Sequence, residues 1–333
     1  MSTLFVLLDG AEDHDIPQFG GKRPLDVAEM PFLDSVAKSK GYTTGREYTH
    51  IFLNEFLTGH RPELKRAVIE ALGLDMNVSG TRTAYRLSPA YIKDGTVEWA
   101  YNMEKLHASL TKCVLDNLHI VEEYGPEINF FLNGRAILTM EWDDIPDLPS
   151  PPMPAPYKEV PGPLGELVGC VAKEMNGLTV YPWGCGRFNE QRKIYECAKD
   201  LMTISDSPTA LGVSASLGQG YKLIKDLDER FPEAQKDLES FNVLLHMDEV
   251  DEYSHQKDPQ KKVRVLEHID KLMEKYFSDA ERIVYFVDHG TSSITGEHLP
   301  VRVPFWTSFD PSVNNEDVPV KCIVPRIMGH GCK

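Results

Sequence analysis

The 333-residue sequence contains no run of ~18 apolar residues, so no ordinary membrane-spanning helix is expected. It has no excess of positive charge either: 35 Lys and Arg stand against 51 Asp and Glu, a formal charge of −16. So acidic a chain is a poor binder of phosphate backbones over a broad surface, and no nucleic-acid partner is expected. A small phosphorylated molecule is not excluded, because a few arginines and metal ions reverse the potential locally. Cysteine is sparse: Cys113, Cys170, Cys185, Cys197, Cys322 and Cys332 are scattered, with no Cys-x-x-Cys pair. Reduced core or surface thiols are the expectation, with the cytoplasm as the default compartment. There is no internal repeat. The N-terminal MSTLFVLLDGAED is too short and too quickly acidic for a signal peptide, and its apolar run reads as a buried first strand.

What is present alternates between strand-like and helix-like stretches. TLFVLLDG reads as a strand ending in an acidic turn, LDVAEMPFLDSVAKSKG as a helix stopped at Gly41, and HIFLNEFLTG as a second short helix. The texture changes near Gly80. TRTAYRLSPAYIKDGTVEWAY alternates like sheet with a turn at Asp94–Gly95, EKLHASLTKCVLDNLHIVEEYG is an amphipathic helix, and INFFLNGRAILTMEW reads as two strands about Asn133–Gly134. The proline-rich DDIPDLPSPPMPAPYKEVPGP cannot hold regular structure for long. LGELVGCVAKEM and DPQKKVRVLEHIDKLMEKYF follow as helices; LTVYPWG, FNVLLHMD and RIVYFVDHG follow as strands. Strand–helix alternation at both ends around an antiparallel-looking middle predicts an α/β core, residues 1–77 and 173–333, interrupted by an inserted α+β cap over 78–172 with a proline-rich return linker.

Three acidic or histidine-bearing motifs sit just after predicted strands, where an α/β sheet places its active site. Asp9 follows TLFVLL; Asp251 and His255 follow NVLLH; Asp288 and His289 follow RIVYFV, with His298 shortly after. Each alone is weak, since a strand-end Asp is more often a cap or turn former. Together they offer the oxygen and nitrogen ligands that suit Zn²⁺ or Mn²⁺, and two metals ~4 Å apart need about that many.

At this point the motifs resemble a known family. LLDGAEDHDIPQFGGKRPLDVAEMPFLDSVAKSKG is similar to the start of the archaeal-type cofactor-independent phosphoglycerate mutases, members of the alkaline phosphatase superfamily. DEYSHQKDPQKKVRVLEHIDK resembles their Asp-Glu-x-x-His segment, and VDHGTSSITGEHLPVRVPF their Asp-His-x-Thr segment and later His. The resemblance spans both ends of the chain and weakens in the middle. It implies an alkaline-phosphatase-like core, a mixed sheet flanked by helices, and two divalent ions: Mn²⁺ or Zn²⁺, with Mg²⁺ as a further option. It implies that Asp9, Asp288, His289 and the nucleophile hold one ion, and Asp251, His255 and His298 the other. Where the family has a nucleophilic serine, this sequence has Thr49 before HIFLNEFL, with Thr43 and Thr44 as fallbacks. Lys22 matches a family lysine near the metals. For substrate anions, Arg86 and Arg135 in the insert and Arg187 in WGCGR are the candidate clamps.

The expected activity is phosphoryl transfer on a small phosphorylated substrate through a phosphothreonine, mutase-like. A phosphomonoesterase or phosphodiesterase of the same superfamily is the alternative enzyme, and a catalytically silent metal-binding homologue the alternative of another class. No membrane partner is expected, and a homo-oligomer is compatible with everything above.

Overall fold

The computed structural model describes residues 2–100, 104–131, 134–151, 153–189, 194–309 and 313–332. The chain divides into two compact units, Met1–Pro62 with Gln191–Lys333, and Glu63–Glu190. The first unit opens with β1 (Leu4–Leu8), α1 (Pro24–Val27), α2 (Pro31–Val36), β2 (Ser39–Thr44) and α3 (Thr49–Thr58). The second unit holds α4 (Arg66–Gly73), β3 (Thr83–Lys93), β4 (Thr96–Trp99), α5 (Glu104–Asp116), β5 (Glu127–Phe130), β6 (Ala136–Met140), β7 (Ala155–Pro156), α6 (Gly162–Glu174) and β8 (Leu178–Gly186). The first unit resumes with β9 (Leu201–Ser205), α7 (Pro208–Ser216), β10 (Gly220–Leu223), α8 (Leu227–Leu238), β11 (Asn242–Met247) and α9 (Glu249–His255). It ends with α10 (Pro259–Phe277), β12 (Ile283–Phe286), β13 (Gly290–Thr291), β14 (His298–Leu299), β15 (Arg302–Thr307) and α11 (Val320–Ile327).

The first unit is built on a mixed sheet in the order β10-β9-β11-β1-β12-β15-β2. The five strands from β10 to β12 run parallel, and β15 pairs antiparallel with both β12 and β2. Parallel strands covered on both faces need continuous apolar runs, and LFVLL is buried at every position. Leu4, Val6 and Leu8 join Val243, Leu245 and Leu266 in one core cluster. Phe5 meets the edge of Phe56, while Phe52 and Phe56 stack on Phe286, with centroids 5.9 and 4.7 Å apart. These rings pin α3, and therefore its first residue Thr49, to β1 and β12.

The expected single helix ending at Gly41 is corrected to two short helices and a strand. Pro31 has no N–H to continue a ladder and instead starts α2. Ser39, Gly41 and Thr43 then alternate inward on β2 against β15. A second correction concerns the thiols: Cys322 and Cys332 form a disulfide, their Cα atoms 5.0 Å apart, because the chain turns back after α11 at Gly329, φ 77°. The other four cysteines are free.

The second unit carries an antiparallel sheet of its own, β5-β6-β3-β4-β7, with β8 also paired to β3. Its core gathers Tyr85, Leu87, Leu138, Leu167 and Val171. The unit begins before residue 78 and ends after 172 because α4 packs on β3 and β8, and β8 runs alongside β3. Neither contact leaves a periodic trace near the boundaries. Of the expected turn at Asn133–Gly134, Asn133 lies outside the described residues; β5 and β6 on either side pair antiparallel. Among the described residues of the proline-rich run before α6, only Ala155–Pro156 pair as strand. No helix among the described residues is long and apolar enough to cross a membrane.

Candidate metal centre

Because β1, β11 and β12 run parallel and adjacent, their carboxyl ends deliver Asp9, the Asp248–His255 segment and Asp288–His289 to one edge of the sheet. Asp9 is buried; its Oδ1 is 3.1 Å from His289 Nε2, and both of its oxygens are 3.2 Å from Thr49 Oγ1. Thr49 Oγ1 is also 3.4 Å from His289 Nε2. Tyr48, not Thr49, occupies the cap position of α3, so the threonine hydroxyl is directed at the acidic cluster rather than used as a cap. Thr43 and Thr44, the fallback hydroxyls, are taken up in β2.

Asp288 is fully buried. Its Oδ1 accepts the Gly10 N–H at 3.2 Å, while Oδ2 has no hydrogen-bond partner among the described groups, with His289 Nε2 3.4 Å away. Burial, with Asp9 alongside, pushes the Asp288 carboxyl up to about 7. Burial alone would lower the His289 imidazole, but Asp288 and Asp9 push it up to about 10. Burial likewise opposes ionisation of Asp9, yet hydrogen bonds from His246 and His289 hold it well below the usual carboxylate range.

The other half of the cluster is Asp251, His255 and His298. His255 Nδ1 is 2.8 Å from Gly296 O and His298 Nδ1 is 2.7 Å from Glu47 O. A carbonyl accepts only, so each Nδ1 carries the proton and each Nε2 presents a lone pair. Those two Nε2 atoms face one another at 3.3 Å, and His255 Nε2 is 3.0 Å from Asp251 Oδ2. Burial and the charge of His289 push the His298 imidazole down to about 3, which keeps it neutral. Three acceptors converging without a donor between them are what a bound cation relieves. Asp251, His255 and His298 form one such metal-competent group, and Asp9, Asp251 and His289 another. The donor set, oxygen and nitrogen with no thiolate, suits a divalent ion such as Mn²⁺ or Zn²⁺.

The remaining expected site residues are placed as follows. Lys22 is exposed, its backbone bridged to Ile16. In the second unit Arg86 is buried, its Nε 2.5 Å from Glu70 Oε2 and its Nη1 2.9 Å from Ser88 Oγ, with the guanidinium 4.6 Å above the Trp183 ring. Burial pushes it down to about 10 even beside Glu70. Arg187 reaches Thr83 Oγ1, Trp142 O and the exposed Asp143. Arg135 is half-buried, and its carbonyl accepts the Phe131 N–H.

His246 joins the site although it is not among the expected ligands. It is fully buried, with Nε2 2.7 Å from Asp9 Oδ2 and Nδ1 2.7 Å from Ser205 Oγ, so it orients Asp9. Its place next to last in the apolar run of β11 is the signal the sequence offers. Asp248, grouped with Asp9 and His246, was missed, as were Gly10, Thr291 and Lys262. Asp248 directly follows the apolar run of β11 and Thr291 ends the Asp-His-x-Thr segment, so both carry a local signal; nothing in the local sequence marks Gly10 or Lys262.

Comparison with known proteins adds to this geometry. A family described as the Metalloenzyme superfamily matches residues 202–328, the stretch that carries β11, β12 and five of the candidate ligands. The chain is 25% identical to 2,3-bisphosphoglycerate-independent phosphoglycerate mutase 2 of Methanocaldococcus jannaschii, over 90% of this chain and 84% of that one. It is 22% identical to 2,3-bisphosphoglycerate-independent phosphoglycerate mutase of Pyrococcus furiosus, covering 89% and 83%. Among solved structures it is similar to the PH0037 protein of Pyrococcus horikoshii, TM-score 0.71 at 15% identity, covering 100% of this chain and 98% of that one. It is also similar to the cofactor-independent phosphoglycerate mutase of Thermoplasma acidophilum, TM-score 0.54 at 18% identity, covering 98% and 99%. The two solved structures establish the α/β fold.

Proposed function

We propose, starting from a chain that is archaeal-type cofactor-independent phosphoglycerate mutase-like, that it transfers a phosphoryl group between hydroxyls of a small phosphorylated acid by way of Thr49. The observation that carries this reading is the Thr49 hydroxyl, held 3.2 Å from both Asp9 oxygens at the first residue of a helix. Asp9, Thr49, Asp288 and His289 would hold one divalent ion, and Asp251, His255 and His298 the second. Bound there, two ions supply a lowered hydroxyl pKa and charge neutralisation at the phosphoryl oxygens. Asp9 orients the Thr49 hydroxyl, and the helix N-terminus favours an incoming phosphoryl group. His246 fixes Asp9. Lys22, Arg135 and Arg187 are the cations this reading assigns to the substrate, while Arg86 keeps a supporting role through Glu70. The reading keeps the cytoplasm as compartment; the Cys322–Cys332 bridge is the feature that argues the other way.

Threonine in place of serine favours a phosphohydrolase as the second reading, and one assay separates the two. The protein is incubated with Mn²⁺ and 3-phosphoglycerate while 2-phosphoglycerate and free phosphate are followed together. Formation of 2-phosphoglycerate supports the mutase; free phosphate alone supports the hydrolase; neither product overturns the enzyme reading for this substrate. Thr49→Ala is expected to lower turnover about 10³-fold or more, and Thr49→Ser to retain much of it.

A further inference from the structure

Lys262 lies in the first turn of α10 and is fully buried, an unusual place for an ammonium group. Its Nζ donates to Gly10 O and Thr291 O, both at 2.9 Å, to Asp13 Oδ2 at 3.1 Å and, more weakly, to Glu12 O at 3.3 Å. None of these acceptors belongs to a proposed ligand side chain, but Gly10 and Thr291 each lie one step from one. Gly10 donates its N–H to Asp288 Oδ1 and directly follows Asp9. Thr291 donates its hydroxyl to Asp251 Oδ1 and is 3.1 Å from His289 Nδ1. Asp13 in turn accepts the Ser293 N–H and hydroxyl, which closes the segment after β1 onto the segment after β12. The closure is tight: a Cβ on Gly10 would stand 2.4 Å from Asp251 Oδ1 and 2.7 Å from Thr291 Oγ1.

We infer that Lys262 is a positioning residue for both halves of the metal centre, clamping the two ligand-bearing loops so that Asp9, Asp251, Asp288 and His289 are set before any ion arrives. The inference rests on the two-metal reading above. A buried ion pair with no such role would serve stability alone, and the two are separable. With the ammonium in place, the carbonyls of Gly10 and Thr291 are drawn to one point, and their side-chain and N–H groups are thereby aimed at the ligands. Without it those carbonyls turn toward other donors, and the ligand loops lose their common anchor.

The test is Mn²⁺ titration by calorimetry together with thermal melting of the metal-free protein. Lys262→Met alone leaves Asp13 buried and uncompensated, so both the melting temperature and the metal affinity should fall. Lys262→Met combined with Asp13→Asn removes the charge imbalance. It is expected to recover most of the melting temperature yet bind Mn²⁺ about 10- to 100-fold more weakly than wild type, as loss of outer-shell support does elsewhere. Wild-type affinity in the double variant would make Lys262 purely structural and overturn the inference, leaving the metal reading intact. Should the double variant not fold, Thr291→Val keeps Lys262 and its carbonyl contact but removes the hydroxyl that reaches Asp251. It should weaken Mn²⁺ binding by about 5-fold or more with the metal-free melting temperature little changed; unchanged affinity there also overturns the inference. A wild-type protein that takes up no Mn²⁺ would bring down the two-metal reading, and this inference with it.

Discussion

Two clusters of buried charge, one in each unit, are treated in opposite ways. In the second unit, Glu70 is fully buried between Arg66 Nε at 2.8 Å and Arg86 Nε at 2.5 Å, and Arg86 also donates to Ser88. Both carboxylate oxygens are engaged, so that cluster is closed at Glu70. In the first unit, Asp9, Asp251 and Asp288 converge with three imidazoles. Two of these have already donated a proton to a backbone carbonyl, and one oxygen of Asp288 has no donor. A folded chain seldom leaves buried polar groups so under-served. Where it does, the deficit identifies the place prepared for something from outside the chain. Arginine in an insert reads as a ligand clamp, and Arg86 is buried against Glu70; acids at strand ends read as ordinary one residue at a time, and here three of them meet.

The sharpest way to break this contrast is to open the closed network. Glu70→Ala removes the carboxylate from between two arginines, one of them buried, and should cost about 3–5 kcal/mol of stability in the second unit. Mn²⁺ binding by the first unit should be unaffected. Thermal melting paired with calorimetric titration reads both, and a loss of metal affinity of the same order would blur the distinction drawn here. Next in size is Gly10→Ala. Its positive φ of 59° and the contact with Asp251 Oδ1 should cost about 2–3 kcal/mol and weaken Mn²⁺ binding more than 10-fold. A variant with wild-type affinity would show that the loops are not tightly closed around the ligands.

The last effect expected is a linkage, on the order of a few kcal/mol, between metal, protons and stability. Asp288 has its folded value raised from 3.8 to about 7, so its contribution is present below the unfolded value and lost as pH rises through about 7. His289, raised from 6.5 to about 10, contributes in the same sense and loses its share as pH climbs toward 10. The metal-free protein should therefore melt lower at pH ~9 than at pH ~6, and Mn²⁺ should reverse the fall. Binding at pH ~6 should release roughly two protons, one from each group, measured by calorimetry in buffers of different ionisation enthalpy. A pH-independent metal-free melting curve would remove the electrostatic difference between the units.

Much of the candidate site is legible in the sequence because its pieces lie at the ends of long apolar runs. LFVLL, NVLLHM and IVYF are each too continuous to be anything but central strands. A strand's last residue then places whatever polar group follows it at the edge of the sheet. Thr49 was legible for a related reason, as a hydroxyl just before an apolar helix. Residues whose function lies in what they touch left no such trace. Lys262 reads as one more cation in an amphipathic helix until α10 turns it inward to Gly10, 252 positions away. Arg86 reads as a clamp until β3 sets it over Trp183 beside Glu70.

Hydrophobic periodicity, a property of neighbours along the chain, determined by itself the strands, the long helices and which acids and histidines would stand at their ends. Only the tertiary structure decided the Cys322–Cys332 pairing, the limits of the inserted unit, the proton positions on His255 and His298, and the contacts of His246, Thr291 and Lys262. Each of these depends on the approach of groups remote in sequence, across which no local pattern extends.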